Sequence, residues 1–164
     1  PGRLEDFLPM FDSWRYDWLD VPALIASAQQ VFEYPMVDKD ALPRWSFDRV
    51  TLMGDAAHPM YPRGSNGSAQ ALIDARTLAD ELASELDAGG DLRVALQRYQ
   101  DARLPATARV VETNRTLPPD FIIMKADELS GGQPFKNIDE LISQDELRAI
   151  SDNYKQIAGF ALKT

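Results

Sequence analysis

The stretch from Arg49 to Ala88 constrains the fold most, because an apolar run there leads into a Gly-Asp pair, a Pro/Gly loop and a long helical pattern. Residues 49–53 are rich in apolar and β-branched side chains, which predicts a short buried strand. Gly54 ends this strand where the backbone can approach a ligand closely. Asp55 then lies at the carboxyl end of the strand, where open α/β sheets bind their ligands. We therefore expect a ligand site in which the Asp55 carboxylate accepts hydrogen bonds from hydroxyl groups.

The loop from His58 to Gly67 is predicted to hold one defined shape. Its prolines fix φ, and its glycines allow conformations that side chains would forbid. These residues are Pro59, Pro62, Gly64 and Gly67. A stiff loop of this kind suits the wall of a binding site.

A long helix is predicted from Ser68 to a stop at Gly89-Gly90, because apolar residues recur at spacings of three and four. These positions are Leu72, Ala75, Ala79, Leu82 and Leu86. The first N–H groups of a helix have no intrahelical partners and lie at the positive end of its dipole. The corner formed by residues 66–69 is therefore predicted to stabilise a negative charge.

The sequence GDAAHPMYPRGSNGSAQALIDA, residues 54–75, resembles the second flavin-binding motif of the FAD-dependent aromatic-ring monooxygenases, the flavoprotein hydroxylases of the phenol and salicylate hydroxylase type. The run QRYQDARLPATARVVETNR, residues 97–115, is similar to the helix that follows the motif in these enzymes. Two positions depart from the common pattern. Ala69 stands where many members have Asn, and Arg63 is a large cation where small or apolar residues are common.

The resemblance implies roles for the residues of the motif. Asp55 would bind the ribityl chain of the flavin, and the loop around Pro62 and Gly64 would pass along the isoalloxazine ring. Backbone amides at the helix start would face N1 and the C2 carbonyl of the flavin. The cofactor-binding residues predicted in this way are Gly54, Asp55, Pro62, Arg63, Gly64, Ser65, Asn66, Gly67, Ser68 and Ala69.

The resemblance also implies an activity. Such an enzyme uses NADH or NADPH to reduce FAD, and a flavin C4a-hydroperoxide then transfers oxygen from O2 to a small aromatic substrate. No residue of the chain is assigned as catalytic or as a metal ligand. Two alternatives stay open: a non-catalytic helical interaction module, and a flavin-dependent halogenase or reductase on the same framework.

The expected fold is α+β and mostly helical, the C-terminal part of an FAD-binding Rossmann-like (α/β) flavoprotein monooxygenase. The chain begins at Pro1 and lacks a Gly-x-Gly-x-x-Gly sequence, so we expect a fragment whose N-terminal part is missing. The expected divisions are residues 1–45, the tail of the substrate-side domain; 46–117, the C-terminal part of the FAD-binding domain; and 118–164, a C-terminal helical extension.

Composition excludes several other classes. A net charge of −9 and a pI near 4.5 argue against nucleic acid and anionic membranes as partners. The chain has no cysteine, signal peptide or apolar run long enough for a membrane span, and we expect a cytoplasmic protein. His58 is the only histidine, so a site with several histidine ligands is not expected. We interpret His58 as a structural loop residue, with a contact to flavin or substrate as the alternative.

Other elements are predicted from local patterns. Two short helices are expected within residues 4–29, the second capped by Asp20, and a strand is expected over residues 31–37. Asp91 is predicted to cap a second long helix, whose apolar stripe Arg103 interrupts and which Pro105 should kink. The arginines of this helix, among them Arg103 and Arg115, are interpreted as a solvated face or a weak anion site.

A capping box at residues 143–146 predicts a terminal helix. This helix either covers the core or forms a homodimer interface, and burial within the chain is the default.

Overall fold

The computed structural model describes residues 1–160, which fold mostly as helices with two small antiparallel hairpins. They divide into two units, Pro1–Met36 and a second unit that begins at Val37. Within the described range, every helix is too short or too polar to span a bilayer. The expectation of a mostly helical α+β chain is confirmed.

The first unit contains short elements only: helix α1 (Leu4–Phe7), a 3-10 turn (Leu8–Phe11), the hairpin of β1 (Arg15–Tyr16) with β2 (Leu19–Asp20), and helix α2 (Val21–Ala26). Asp20 caps α2 as predicted, because its carboxylate accepts the Ala23 N–H at 2.9 Å. The predicted extent through Gln29 is wrong. The helix ends at Ala26, and the hydroxyl group of Ser27 donates a hydrogen bond to the carbonyl of Leu24 in its last turn, at 2.7 Å.

The predicted strand over residues 31–37 is also wrong, since residues 27–45 contain no regular element. The Gly2 N–H donates to the Val31 carbonyl at 2.9 Å, but no ladder continues from it. An alternating pattern becomes a strand only where a partner strand supplies hydrogen bonds, and Pro35 has no N–H to offer.

A hairpin of β3 (Ser46–Phe47) and β4 (Val50–Thr51) precedes the Gly-Asp pair. The predicted buried strand over residues 49–53 is therefore shorter than expected, and Val50 is 63% exposed. Burial on both faces requires neighbouring strands, whereas within the described residues β4 pairs with β3 alone.

Two long antiparallel helices, α3 (Gly67–Asp87) and α4 (Leu92–Thr116), form the main body of the second unit. Asp91 caps α4 as predicted by accepting the Arg93 N–H at 2.9 Å. Pro105 lies inside α4, which runs on as one helix to Thr116, and the kink stays a prediction. The core beside the two helices contains Trp45, Ala57 and Tyr99, with Leu42, Leu52, Leu78 and Leu104 packed around them.

Helix α5 (Phe121–Ser130), a 3-10 turn (Ile138–Glu140) and helix α6 (Gln144–Ala158) complete the second unit. Ser143 Oγ accepts the Glu146 N–H at 3.2 Å, so the predicted cap is confirmed. Helix α6 packs against α4, with Tyr154 and Ala158 buried, which agrees with the default of burial within the chain. The last four positions of the predicted extension, residues 161–164, lie outside the described residues.

Candidate functional site

The candidate site is a cavity of about 540 Å³ between the turn after β4 and the start of α3. Its wall combines one carboxylate, two hydroxyl groups and apolar surface. The lining residues are Asp55, Met60, Pro62, Ser65, Gly67, Ser68 and Ala71. Sequence reasoning predicted most of this wall and missed Met60 and Ala71, which carry no polar signal.

Asp55 enters the cavity from a tight 3-10 turn over Gly54–Ala56. Gly54 adopts a left-handed conformation with φ of 58°, which glycine reaches at little cost. Its carbonyl accepts the N–H groups of Ala57 and His58, both at 2.9 Å. Asp55 is exposed, and within residues 1–160 its carboxylate has no hydrogen-bond partner. It is therefore free to accept hydrogen bonds from a ligand.

The loop after Pro62 turns sharply before α3. Gly64 and Ser65 both lie in the left-handed region, with φ of 78° and 55°. For Ser65 this conformation is strained, and the Ser65 N–H donates to the Pro62 carbonyl at 3.2 Å. A Cβ on Gly64 would approach Pro119 Cγ to 2.6 Å and Tyr154 Oη to 2.7 Å. The glycine is thus required by packing behind the loop as well as by its φ angle.

The first turn of α3 presents free N–H groups at the cavity. The first intrahelical bond runs from the Gln70 N–H to the Asn66 carbonyl at 2.9 Å, and the Asn66 side chain does not cap the helix. In the described part of the chain, the N–H groups of Gly67, Ser68 and Ala69 have no acceptor, as expected for a helix start. Among residues 1–160, a Cβ on Gly67 would meet only Asp55 Oδ1, at 4.0 Å, so the approach to these groups is open.

Three of the predicted site residues face away from the cavity. Arg63 forms a bidentate ion pair with Asp120, in which Nε donates to Oδ1 at 3.1 Å and Nη2 donates to Oδ2 at 2.9 Å. The Arg63 hydrogen bond holds the pKa of Asp120 below its ordinary value. Asn66 is buried and donates to the Tyr154 hydroxyl, which itself donates to Asn114 Oδ1 at 2.6 Å. Gly64 packs on the same side.

Gly54 and Ala69 are not part of the cavity wall either. Gly54 is buried and belongs to a polar network behind the turn, whose centre is the fully buried Asp74. Asp74 Oδ2 accepts the Gly54 N–H at 3.0 Å and lies 2.6 Å from His58 Nε2. Asp74 Oδ1 accepts Arg103 Nε at 2.7 Å, and Arg103 Nη2 donates to Gln70 Oε1 at 2.6 Å.

Sequence reasoning missed this network. The assignment of Arg103 to a solvated face is wrong, since it is 8% exposed and paired with Asp74. The available signal was its position inside the apolar stripe of α4, where a charge needs a buried partner. His58 is 4% exposed and held by Asp74, which agrees with the structural role predicted for it.

Arg115 is not a solvated cation of α4 either. It forms ion pairs with Asp38 and Asp40, in the segment that precedes β3. Arg103 and Arg115 therefore connect α4 to neighbouring elements of the second unit.

Comparison with known proteins gives a family model that matches residues 21–114 and is described as an FAD binding domain. A phenazine 1,6-dicarboxylic acid hydroxylase of Lysobacter antibioticus is 52% identical over 114 residues, 70% of this chain and 27% of the relative. A 3-amino-4-hydroxybenzoate 2-monooxygenase of Streptomyces platensis is 39% identical over 122 residues, 74% of this chain and 29% of the relative. The 3-hydroxybenzoate 6-hydroxylase 1 of Aquipseudomonas alcaligenes is 41% identical over 100 residues, 61% of this chain and 24% of the relative. The chain thus spans less than a third of each of these proteins.

Proposed function

The chain belongs to the FAD-binding domain family, and on that premise we propose that it forms part of an FAD-dependent monooxygenase that hydroxylates a small aromatic substrate. The names of the relatives support this reaction class, since each is a hydroxylase or monooxygenase of an aromatic acid. The observation that carries the proposal is the cavity in which a carboxylate with no partner among residues 1–160 faces the open start of a long helix.

The donors and acceptors of the cavity fit FAD. The Asp55 carboxylate is an acceptor for the hydroxyl groups of the ribityl chain, and the free N–H groups of Gly67 and Ser68, which line the cavity, are donors for the N1 and C2 carbonyl edge of the ring. Pro62 and Met60 offer apolar surface for the flat isoalloxazine. The absence of a Cβ at Gly67 leaves room for the ring to approach the helix start.

FAD, once bound and reduced, supplies the activation of O2 that amino-acid side chains cannot perform. In the overall reaction one oxygen atom enters the aromatic ring and the other leaves as water, with a hydride (two electrons and one proton) from NADH or NADPH and a second proton from solvent. The residues of this chain bind and orient the cofactor, and none of them is assigned a proton transfer or a covalent role.

The α3 start stabilises the negative charge that reduced flavin carries at the N1 and C2 edge, with a dipole contribution of roughly 0.3–2 kcal/mol. Arg63 does not strengthen this charge site, because Asp120 neutralises it. The stiff loop at Pro62 helps to exclude water from the ring, which limits unproductive discharge of the activated oxygen.

The rest of the fold is part of the same proposal. Residues 46–117 would form the C-terminal part of a Rossmann-like FAD-binding domain, and the other strands of that domain would lie outside this chain. The support for this is that the chain spans only 27% and 29% of two relatives. Residues 1–45 would belong to the substrate-side domain and residues 118–164 to a C-terminal extension. We expect the intact protein to work in the cytoplasm, where NADH and NADPH are available.

The test is an oxygenation assay with the full-length protein. The purified protein should carry FAD and oxidise NADH or NADPH faster with a hydroxybenzoate or a phenazine carboxylic acid than without it. Under ¹⁸O2 the product should gain one labelled oxygen atom by mass spectrometry. NAD(P)H oxidation without an oxygenated product from any aromatic acid would contradict the proposal and favour a reductase, and a halogenated product in chloride or bromide would favour a halogenase.

A further inference from the structure

Asp74 lies behind the cavity wall, in the interface between α3 and α4. Its side chain is fully buried, and the residue is absent from the cavity lining. Even so, two of its three hydrogen-bond partners among the described residues, Gly54 and His58, belong to the turn that carries Asp55. The third partner is Arg103 of α4.

The two contacts on the turn hold its opposite ends. Asp74 Oδ2 accepts the N–H of Gly54, where the turn begins, at 3.0 Å, and lies 2.6 Å from Nε2 of His58, where it ends. Within the turn, the Gly54 carbonyl accepts the His58 N–H at 2.9 Å. Asp55 stands between these ends with an exposed side chain that no other described residue holds. Its direction therefore depends on the backbone of the turn.

The chemistry of this arrangement requires an ionised Asp74. Burial raises the pKa of Asp74, but hydrogen bonds from His58, Arg103 and the Gly54 N–H outweigh it, so that the pKa lies below its ordinary value. An ionised carboxylate carries no proton of its own, so that both of its oxygen atoms can accept from the three donors at once. Arg103 balances its charge and is itself held by Gln70 Oε1 at 2.6 Å.

The network extends to α6, because Gln70 Nε2 donates to the Ala158 carbonyl at 2.8 Å. The turn is thus tied through Asp74 to three helices of the second unit. Such an anchoring fixes the backbone in advance, which lowers the entropy cost of binding a ligand.

We propose that Asp74 is a positioning residue for the flavin: it clamps the turn from Gly54 to His58 and so holds the Asp55 carboxylate in its binding direction before the cofactor arrives. This inference rests on the proposed function, in which Asp55 binds the ribityl chain.

The test is a double-mutant cycle on FAD affinity in the full-length apoprotein, measured by flavin fluorescence during titration. Asp74→Asn keeps the shape of the side chain but replaces one acceptor oxygen by a donor. We expect the Kd for FAD to rise about tenfold, the effect of one lost charge-assisted hydrogen bond. In an Asp55→Ala background the same change should raise Kd by less than about twofold, since the carboxylate that Asp74 positions is absent. An unchanged Kd in the single variant, or equal effects in both backgrounds, would overturn the positioning role.

A matched control separates positioning from general loss of stability. Val110 is buried on the same helix as Arg103 and takes no part in the Asp74 hydrogen bonds. Val110→Ala should lower the melting temperature while the Kd for FAD stays within about twofold of wild type. If Val110→Ala weakens FAD binding as much as Asp74→Asn does, the role of Asp74 is structural only.

A second pair of variants, at His58, tests the same positioning role if Asp74→Asn does not fold. Gln places an N–H group close to the position of His58 Nε2, whereas Leu removes the donor. His58→Gln should retain a Kd within about twofold of wild type, and His58→Leu should raise it about tenfold. Equal Kd values for the two variants would overturn the inference. A wild-type protein that binds no FAD would instead refute the proposed function itself.

Discussion

Asp55 is the residue whose contribution to cofactor binding can be measured with the least disturbance of the fold. Its side chain is exposed and has no partner among residues 1–160, so its removal breaks no internal contact. We predict that Asp55→Ala in the full-length protein raises the Kd for FAD by about tenfold or more, because a carboxylate bonded to hydroxyl groups contributes about 1.5–3 kcal/mol. Flavin titration measures the effect, and the melting temperature of the apoprotein should not change. Wild-type flavin occupancy after purification would count against the assignment.

Gly64 allows a second prediction at the scale of one residue. Gly64→Ala combines an unfavourable φ of 78° with a Cβ only 2.6 Å from Pro119 Cγ. Gly89→Ala is the matched control, since its φ is 65° and a Cβ there would meet no other described residue within 4 Å. We predict a loss of about 1–2 kcal/mol for Gly89→Ala, from backbone strain alone, and a further 1–3 kcal/mol, approximately, for Gly64→Ala from overpacking. Denaturant unfolding measures the free energy of unfolding of both variants. Equal losses would mean that the loop around Gly64 accommodates the added Cβ without an energetic penalty.

At the scale of elements, Arg115 joins α4 to the segment that precedes β3 through Asp38 and Asp40. The hydrogen bond from Arg115 holds the pKa of Asp38 below its ordinary value of 3.8. A carboxyl group with a lowered folded-state pKa stabilises the fold above its unfolded pKa, and this stabilisation is lost as the pH falls through the folded pKa. The pair should therefore contribute at neutral pH and disappear in acid.

We predict that Asp38→Asn lowers the melting temperature at pH 7 relative to wild type, and that this difference shrinks as the pH falls below 3.8. Asp40→Asn is the control, because the Asp40 side chain is 90% exposed and exposed ion pairs contribute little. Calorimetry across this pH range provides the measurement. A constant difference between Asp38→Asn and wild type at all pH values would show that the ion pair is not the cause.

The sequence predicted features that depend on residues close together in the chain, such as helix caps. It did not predict features that depend on pairing or packing with distant segments. The caps at Asp20, Asp91 and Ser143 were predicted because capping is a contact over two or three residues. The strand predicted over residues 31–37 does not form, because alternation alone supplies no ladder partner.

A large part of the cavity wall was implied by the resemblance, because the motif that carries it is contiguous and the wall residues lie within it, from Asp55 to Ala71. The Asp74 network was missed because it depends on the packing of α3 against α4, and Asp74 and Arg103 are 29 positions apart. The position of Arg103 within the apolar stripe of α4 indicates that its charge is unusual. Its partner Asp74, however, is determined by how α3 and α4 pack against each other, which the sequence alone does not give.

For the whole molecule, the decisive feature is how much of a flavin site this chain supplies. It provides a carboxylate, a loop and a helix start, and its sequence has no Gly-x-Gly-x-x-Gly to hold the pyrophosphate of a dinucleotide. We predict that the 164-residue chain, expressed alone, purifies without stoichiometric FAD and binds added FAD at least about a hundredfold more weakly than the full-length protein, since a loss of about 2.7 kcal/mol or more follows from the missing contacts. Circular dichroism would first establish that the chain is helical, and flavin titration would then compare the two proteins. A yellow, stoichiometric complex of the chain alone would show that the ring and ribityl contacts suffice, and that Asp55 and the α3 start carry most of the affinity.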